Sequence, residues 1–220
     1  MKSNNILYDF KQSEKRIEEI FNTSYEEQIH VPLRDSLNDE SGFYVNVSSI
    51  FVDIRDSISL NQEYSREILS KLYKSFVSEV VAIMNGDMYC QEINLISTSI
   101  CGIFETSSDD SYASLVDTAL RINGIVRFIN SKIDGDIRVG IGVDYGRAFM
   151  IKIGGEIIYA GEVINNACEL SKNACYLFNK PIAISERVYE MLCQRRADLF
   201  LKNPSQDFYE CDEIFHDMDI

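Results

Sequence analysis

A hydrophobic run, Ile50-Phe51-Val52, leads into Asp53, and the chain then passes through Arg55, Asp56, Ser57 and Ser59. A carboxylate that closes a buried strand is unfavourable unless something compensates it. Two kinds of compensation are open. One is a divalent metal, which would make Asp53 a ligand. The other is structural: a hydrogen bond, or an ion pair with a nearby Arg or Lys. Zinc chemistry is not expected, because none of the six cysteines sits in a C-x-x-C pair and the two histidines are His30 and His216. The thiols read as core or surface residues of a reduced protein. Asp144, in "VDYG", reads as a turn acid, and Asp109-Asp110 as the cap of a helix.

The elements that must position these residues follow from pattern. Residues 43–54, "FYVNVSSIFVDI", are rich in β-formers and predict a long strand that ends at Asp53. Leu60, Tyr64, Leu69, Leu72, Phe76, Val80 and Ile83 then mark a helix that Asn85-Gly86 stops. Residues 91–105 predict a hairpin with Ser97-Thr98-Ser99 at its tip, and 111–131 a second amphipathic helix. Residues 137–153 read as strand, turn and strand around Asp144-Tyr145-Gly146. A strand at 156–160, a helix at about 162–175, the strand "KPIAIS", the helix "ERVYEMLCQR" and the strand "DFYECDEI" complete the order. Upstream, 5–22 predicts a helix striped by Ile6, Phe10, Ile17 and Ile20, and 23–42 an irregular arm containing Pro32. Strand pairs separated by helices give an α+β domain, a mixed sheet covered mainly on one face. The division expected is an N-terminal helix and arm, 1–42, and one domain, 43–220.

With 220 residues, 45% of them hydrophobic, the chain can bury one sizeable core. A net charge of -14 disfavours nucleic acid and anionic lipid as partners. No apolar run approaches a membrane span and the first residues lack an apolar signal region, so a cytoplasmic protein is expected.

Three segments, in order, resemble the class III nucleotidyl cyclases: "FVDI" at 51–54, "RVGIGVDYGRAFMIKIG" at 138–154 and "YAGEVINNACEL" at 159–170. Within that family, "SGFYVNVSSIFVDIRDSISL" and "GIGVDYGRAFMIK" are similar to the bacterial uridylate and cytidylate cyclases of the Pycsar antiphage system. The resemblance covers roughly residues 30–210. It implies a ferredoxin-like fold and a Mn²⁺- or Mg²⁺-dependent conversion of a pyrimidine nucleoside triphosphate to cUMP or cCMP. It also implies a homodimer, or a heterodimer with another cyclase-like chain. Such a reaction joins the ribose 3′-oxygen to the α-phosphate and expels pyrophosphate. Two metals about 3.5–4 Å apart would serve it, and they call for at least two carboxylates.

By resemblance, Asp53 is the first metal ligand, while Ile54 with the backbone after it, and Ser57, supply donors to the triphosphate. Asn94 matches the base-recognition position, Asn165 the family asparagine and Lys202 a triphosphate lysine. For Asn165, capping a helix start is the alternative. Three positions depart from the pattern. Thr98 stands where the family has the second metal acid. Glu169 stands where it has a basic residue that steadies charge at the phosphate. Asp56 stands where many relatives have glycine. Glu92 shares a strand face with Asn94, Ile96 and Thr98, but its Cα would lie about 20 Å from that of Thr98 on an extended strand, too far to replace an acid there. The sequence therefore leaves two readings open: an active cyclase, or a cyclase-fold module that binds nucleotide or a partner subunit without turnover.

Overall fold

The computed structural model describes residues 7–133, 137–174 and 180–215, apart from the side chains of Ser57, Ile58 and Asn61. Its axis is β2, Gly42–Ile54. Alternate residues of this strand feed two cores. Ile50, Val52 and Ile54 enter one, and Val45, Val47 and Phe51 enter the other. Burial on both faces explains why the run reads as almost continuously hydrophobic.

Around β2 the hydrogen-bonded order is β3 (Cys90–Ile96), β4 (Ser99–Phe104), β2, β5 (Val139–Ile153), β7 (Ile182–Ser185), β9 (Phe208–Cys211) and β8 (Leu201–Lys202). Beside this path, β1 (Glu26–Gln28) pairs with β2, and β6 (Glu156–Ala160) with β5. β5 and β7 run parallel while β2 is antiparallel to both β4 and β5, the mixed sheet expected of an α+β fold.

Two long helices cover the Ile50–Val52–Ile54 face. α3, Arg66–Asn85, buries Leu69, Leu72, Phe76, Val80 and Met84, the stripe that a 3.6-residue period dictates. Ser65 caps it by accepting from the Ile68 N–H. α4, Asp109–Asn130, buries Leu115, Ala119, Ile122, Val126 and Ile129. Its cap is Ser108, in a capping box with Ser111, and not the acid pair the sequence suggested. Asp109 and Asp110 lie inside the first turn, where they meet the positive end of the helix dipole. The short α2, Ser57–Glu63, precedes α3.

α5, Glu162–Asn173, lies on the opposite face, where Val163 and Ala167 join Val47 and Phe51. Two glycines let it sit directly on β5. A Cβ on Gly142 would come within 2.0 Å of the Ala167 carbonyl oxygen, and one on Gly140 within 1.8 Å of that of Ser171.

β5 corrects the strand–turn–strand reading of 137–153. It is one strand of 15 residues, because β2 pairs with it continuously from Gly42↔Ile151 to Ile54↔Val139. Asp144 is therefore not a turn acid; it is fully buried at mid-strand. The expected last helix divides into α6, Glu186–Glu190, and α7, Gln194–Ala197, where Cys193 takes extended backbone. Upstream, α1, Phe10–Phe21, leads through β1 and a 3₁₀ turn at Arg34–Ser36 to Leu37, which is buried against the α5-side core. Among the described residues no helix is long and apolar enough to cross a membrane.

Candidate active site

The sheet register sets Asp53 between Ser99 on β4 and Gly140 on β5. Ser99 Oγ donates to Asp53 Oδ1 at 2.6 Å. Among the described residues no Lys, Arg or His forms an ion pair with Asp53. Its structural compensation is thus a hydrogen bond and not a cation. Ser99 was not singled out in the sequence; only the pairing of β2 with β4 brings it to Asp53.

Ser97 and Thr98 form a two-residue loop between the paired Ile96 and Ser99. Ser97 has φ of 58°, the left-handed value that glycine usually takes at the first position of such a hairpin turn. Thr98, half-buried, is the second loop residue and offers a hydroxyl. Asn94 pairs with Cys101, which pairs with Phe51, so Asn94 leaves the same face of the sheet as Asp53. It stands two strands, about 10 Å, to the side. Ile54 is buried in the α3–α4 core, which leaves only its backbone for a ligand. Ser57 opens α2, and its side chain lies outside the described part of the structure.

Asp56 has φ of 49°, a conformation that explains why glycine suits this position. Its carboxylate meets Arg138 Nη2 at 2.8 Å. Arg138 also accepts, through its carbonyl, from the Arg55 N–H at 2.8 Å. A half-exposed guanidinium therefore stands beside the 53–56 loop. Sequence reasoning missed it, because its proximity depends on the β2–β5 register.

A second group lies elsewhere. Gly161 occupies the N-cap of α5, and Asn165 is its fourth residue, so the capping alternative for Asn165 does not hold. Asn165 and Glu169, one turn apart, are both exposed, on the side of α5 away from the sheet-facing Val163, Ala167 and Ser171. Lys202 Nζ pairs with Asp207 at 3.1 Å and Glu186 at 3.4 Å, contacts that raise its pKa. An open cleft of about 390 Å³ runs between α5, α6 and the β8–β9 loop, with Asn166, Glu169, Arg187 and Asp207 in its walls. Asp144 braces this region. Its Oδ2 accepts from Asn166 Nδ2 at 3.0 Å and from Arg187 Nη2 at 3.2 Å.

Lys202 and Asp53 do not meet within one chain. Lys202 is on β8, four strands from β2, which sets it about 19 Å from the Asp53 strand. Glu169 shares the walls of the cleft with Glu186 and Asp207, the two acids that pair with Lys202.

The donors around Asp53 suit a hard cation. Mg²⁺ takes oxygen ligands and binds through one or two carboxylates plus substrate phosphates. Asp53 and the hydroxyl of Thr98 match one such ion arriving with a triphosphate. The second carboxylate that a pair of ions calls for is not supplied at the hairpin tip, where Thr98 stands.

No protein-family model matches the chain. It is 31% identical to a uridylate cyclase of Gulbenkiania mobilis over 94% of this chain and 88% of that one. It is 29% identical to a uridylate cyclase of Treponema porcinum, over 94% of this chain and 78% of that one. Among solved structures it resembles the adenylyl cyclase CyaB from P. aeruginosa, with a TM-score of 0.63 at 15% identity, covering 81% of this chain and all of the other.

Proposed function

This chain belongs to the class III nucleotidyl cyclases, among the Pycsar-type uridylate and cytidylate cyclases, and we propose that it converts UTP or CTP to the 3′,5′-cyclic monophosphate as a signal in antiphage defence. The observation that carries this reading is Asp53, which closes β2 with a hydrogen bond from Ser99 and no ion-pair partner among the described residues, beside the half-exposed Arg138. A divalent ion, Mn²⁺ or Mg²⁺, held by Asp53 and the triphosphate would polarise the reacting phosphate.

The protein's own groups do the rest. Arg138 turns from Asp56 to the phosphates and offsets their charge. The backbone after Ile54, with Ser57, donates to the same oxygens. Asn94 hydrogen-bonds the pyrimidine edge. Asn165 orients the ribose and Lys202 holds the terminal phosphates, both from a second copy, as the resemblance implies for Asn165 and as the four strands between Lys202 and Asp53 require of Lys202. A two-fold homodimer would bring each copy's Asp53 group against its partner's Asn165 group and make two equivalent sites.

Thr98 and Glu169 favour a second reading, a module that binds nucleotide without turnover. Thr98 withholds a metal carboxylate, and Glu169 sets a negative charge where a developing negative charge needs a cation. One experiment separates the two. The chain is incubated with Mn²⁺ and each of ATP, GTP, CTP and UTP, and product is read by mass spectrometry beside Asp53→Ala. Cyclic UMP or CMP from the parent chain, absent from the variant, is the expected outcome. No product, with a nucleotide-dependent rise in melting temperature, supports the binding module. No product and no rise overturns both.

A further inference from the structure

Arg187 stands alone in an acidic cleft. Of the described residues that line the space between α5, α6 and the β8–β9 loop, it is the single Lys or Arg, beside the acids Glu169, Glu186 and Asp207. The nearby Lys202 is already held by two of those acids, Asp207 at 3.1 Å and Glu186 at 3.4 Å.

Arg187 is held from beneath instead. Asp144, fully buried at mid-β5, accepts through Oδ2 from Arg187 Nη2 at 3.2 Å and from Asn166 Nδ2 at 3.0 Å. Its Oδ1 has no hydrogen-bond partner among the described residues. The guanidinium lies along the same strand: a Cβ on Gly146 would come within 3.2 Å of Arg187 Nη1. Yet 49% of the Arg187 side chain stays exposed. One nitrogen is thus pinned to the floor of the cleft, while Nε and Nη1 keep no hydrogen-bond partner among the described residues. A guanidinium presents its N–H donors in a rigid fork that matches phosphate oxygens.

Packing does not account for this arrangement. An apolar pair would join α6 to β5 without desolvating a carboxylate, and buried ion pairs are often no more stable than apolar replacements. What the carboxylate adds is direction, because a side chain locked by a hydrogen bond behind it shows a ligand one fixed edge. The surrounding acids say what ligand suits that edge. They repel a bare anion, so the cleft fits an anion that arrives with a divalent cation.

We propose that Arg187 donates to the β- and γ-phosphate oxygens of a metal-bound pyrimidine nucleoside triphosphate, with Asp144 as its positioning residue, an assignment that rests on the cyclase reading above. Arg187 then supplies from α6 the positive charge that Glu169 withholds on α5. The electron pair of the α–β bond moves onto these oxygens as pyrophosphate is expelled, and a fixed guanidinium stabilises that charge. Arg187 itself stays protonated throughout.

The test uses the whole chain with Mn²⁺ and two matched ligands for each base. 3′-Deoxy-UTP and 3′-deoxy-CTP carry the triphosphate but lack the attacking oxygen; UMP and CMP lack the pyrophosphate. Arg187→Gln leaves a buried carboxylate without its cation, which is itself strongly destabilising. The double variant Asp144→Asn/Arg187→Gln is therefore measured beside it, with urea midpoints to check folding. Both are expected to bind the deoxy-triphosphate at least about tenfold more weakly than the parent, and the monophosphate within about twofold of it. Asp144→Asn alone is expected to show the same selectivity in smaller measure; a loss common to both ligands would make its role structural only. Where the parent makes cyclic product, kcat is expected to fall at least about tenfold in the double variant. Unchanged triphosphate affinity in the double variant overturns the proposal, and so does an equal loss for monophosphate and triphosphate. A parent that binds the deoxy-triphosphate through Arg187 but makes no product leaves the assignment intact and counts against turnover alone. A parent that turns over UTP or CTP with Arg187 dispensable overturns the assignment and leaves the cyclase reading standing. A parent that binds no triphosphate overturns both.

Discussion

At the scale of single residues, the question is what Thr98 and Glu169 withhold. Thr98 occupies the tip of the β3–β4 loop, next in sequence to Ser99, whose hydroxyl is 2.6 Å from Asp53. A carboxylate at that tip would add a second oxygen donor for a divalent ion. Glu169 is exposed on α5, so its replacement disturbs no packing. The double variant Thr98→Asp/Glu169→Arg is therefore expected to raise cyclic nucleotide formation at least about tenfold, equivalent to about 1.4 kcal/mol of barrier. Thr98→Asp alone is expected to enlarge the Mn²⁺-dependent rise in melting temperature. Equal or lower turnover in the double variant would mean that this site works through the threonine and the glutamate as they stand.

At the scale of elements, the position of α5 decides where Asn165 and Glu169 point. The helix rests on β5 through backbone contact at Gly140 and Gly142, with Val163 and Ala167 filling the core behind Phe51. A methyl group at Gly142 meets a carbonyl oxygen of the helix at 2.0 Å, and the helix must move to admit it. Gly142→Ala is expected to destabilise the fold by at least about 2 kcal/mol through overpacking. Urea unfolding measures it. The same displacement would swing Asn165 away, so nucleotide-induced stabilisation should fall in parallel. A variant with parent stability would show that α5 is held elsewhere, through Asn166 and Arg187 on Asp144.

At the scale of the whole molecule, burial of thiols and phenols sets the alkaline limit of the fold. Burial pushes Cys90 up to about 12 and Cys211 up to about 11, both from 9.0, and Tyr112 up to about 12 from 10.0. Each is an acid whose neutral form the folded state prefers, so the folded pKa lies above the unfolded one. The stability this supplies is fully present below pH 9 and is lost as pH climbs from 9 towards 11 and 12. Between those limits each thiol contributes a slope of up to about 1.4 kcal/mol per pH unit. Urea midpoints are expected to hold steady up to the unfolded thiol pKa and to fall above it, less steeply in Cys90→Ala. A flat profile to the highest pH would contradict the burial of these groups. The same scale holds the proposed dimer, since Lys202 lies four strands from β2 and would reach an Asp53 only on a second copy.

The sequence alone determined the elements with strong local signals. The run 43–54, the stripes of α3 and α4 and the hairpin around Ser97-Thr98 all depend on periodicity and turn chemistry within a few residues. Three motifs in order, at 51–54, 138–154 and 159–170, carried the resemblance to the family. Only the tertiary structure decided the rest. Asp144 has the local pattern of a turn, yet β5 passes straight through it because β2 pairs along its length. Asn165 has the local pattern of a cap, yet Gly161 takes that place. Ser99 and Arg138 carry no signal of their own, because their nearness to Asp53 and Asp56 is a property of strand register between segments about 45 and 80 residues apart. The separation of Asp53 from Lys202 by four strands is likewise a fact of sheet order. Local chemistry names the groups that can react, and non-local pairing determines which of them share a site.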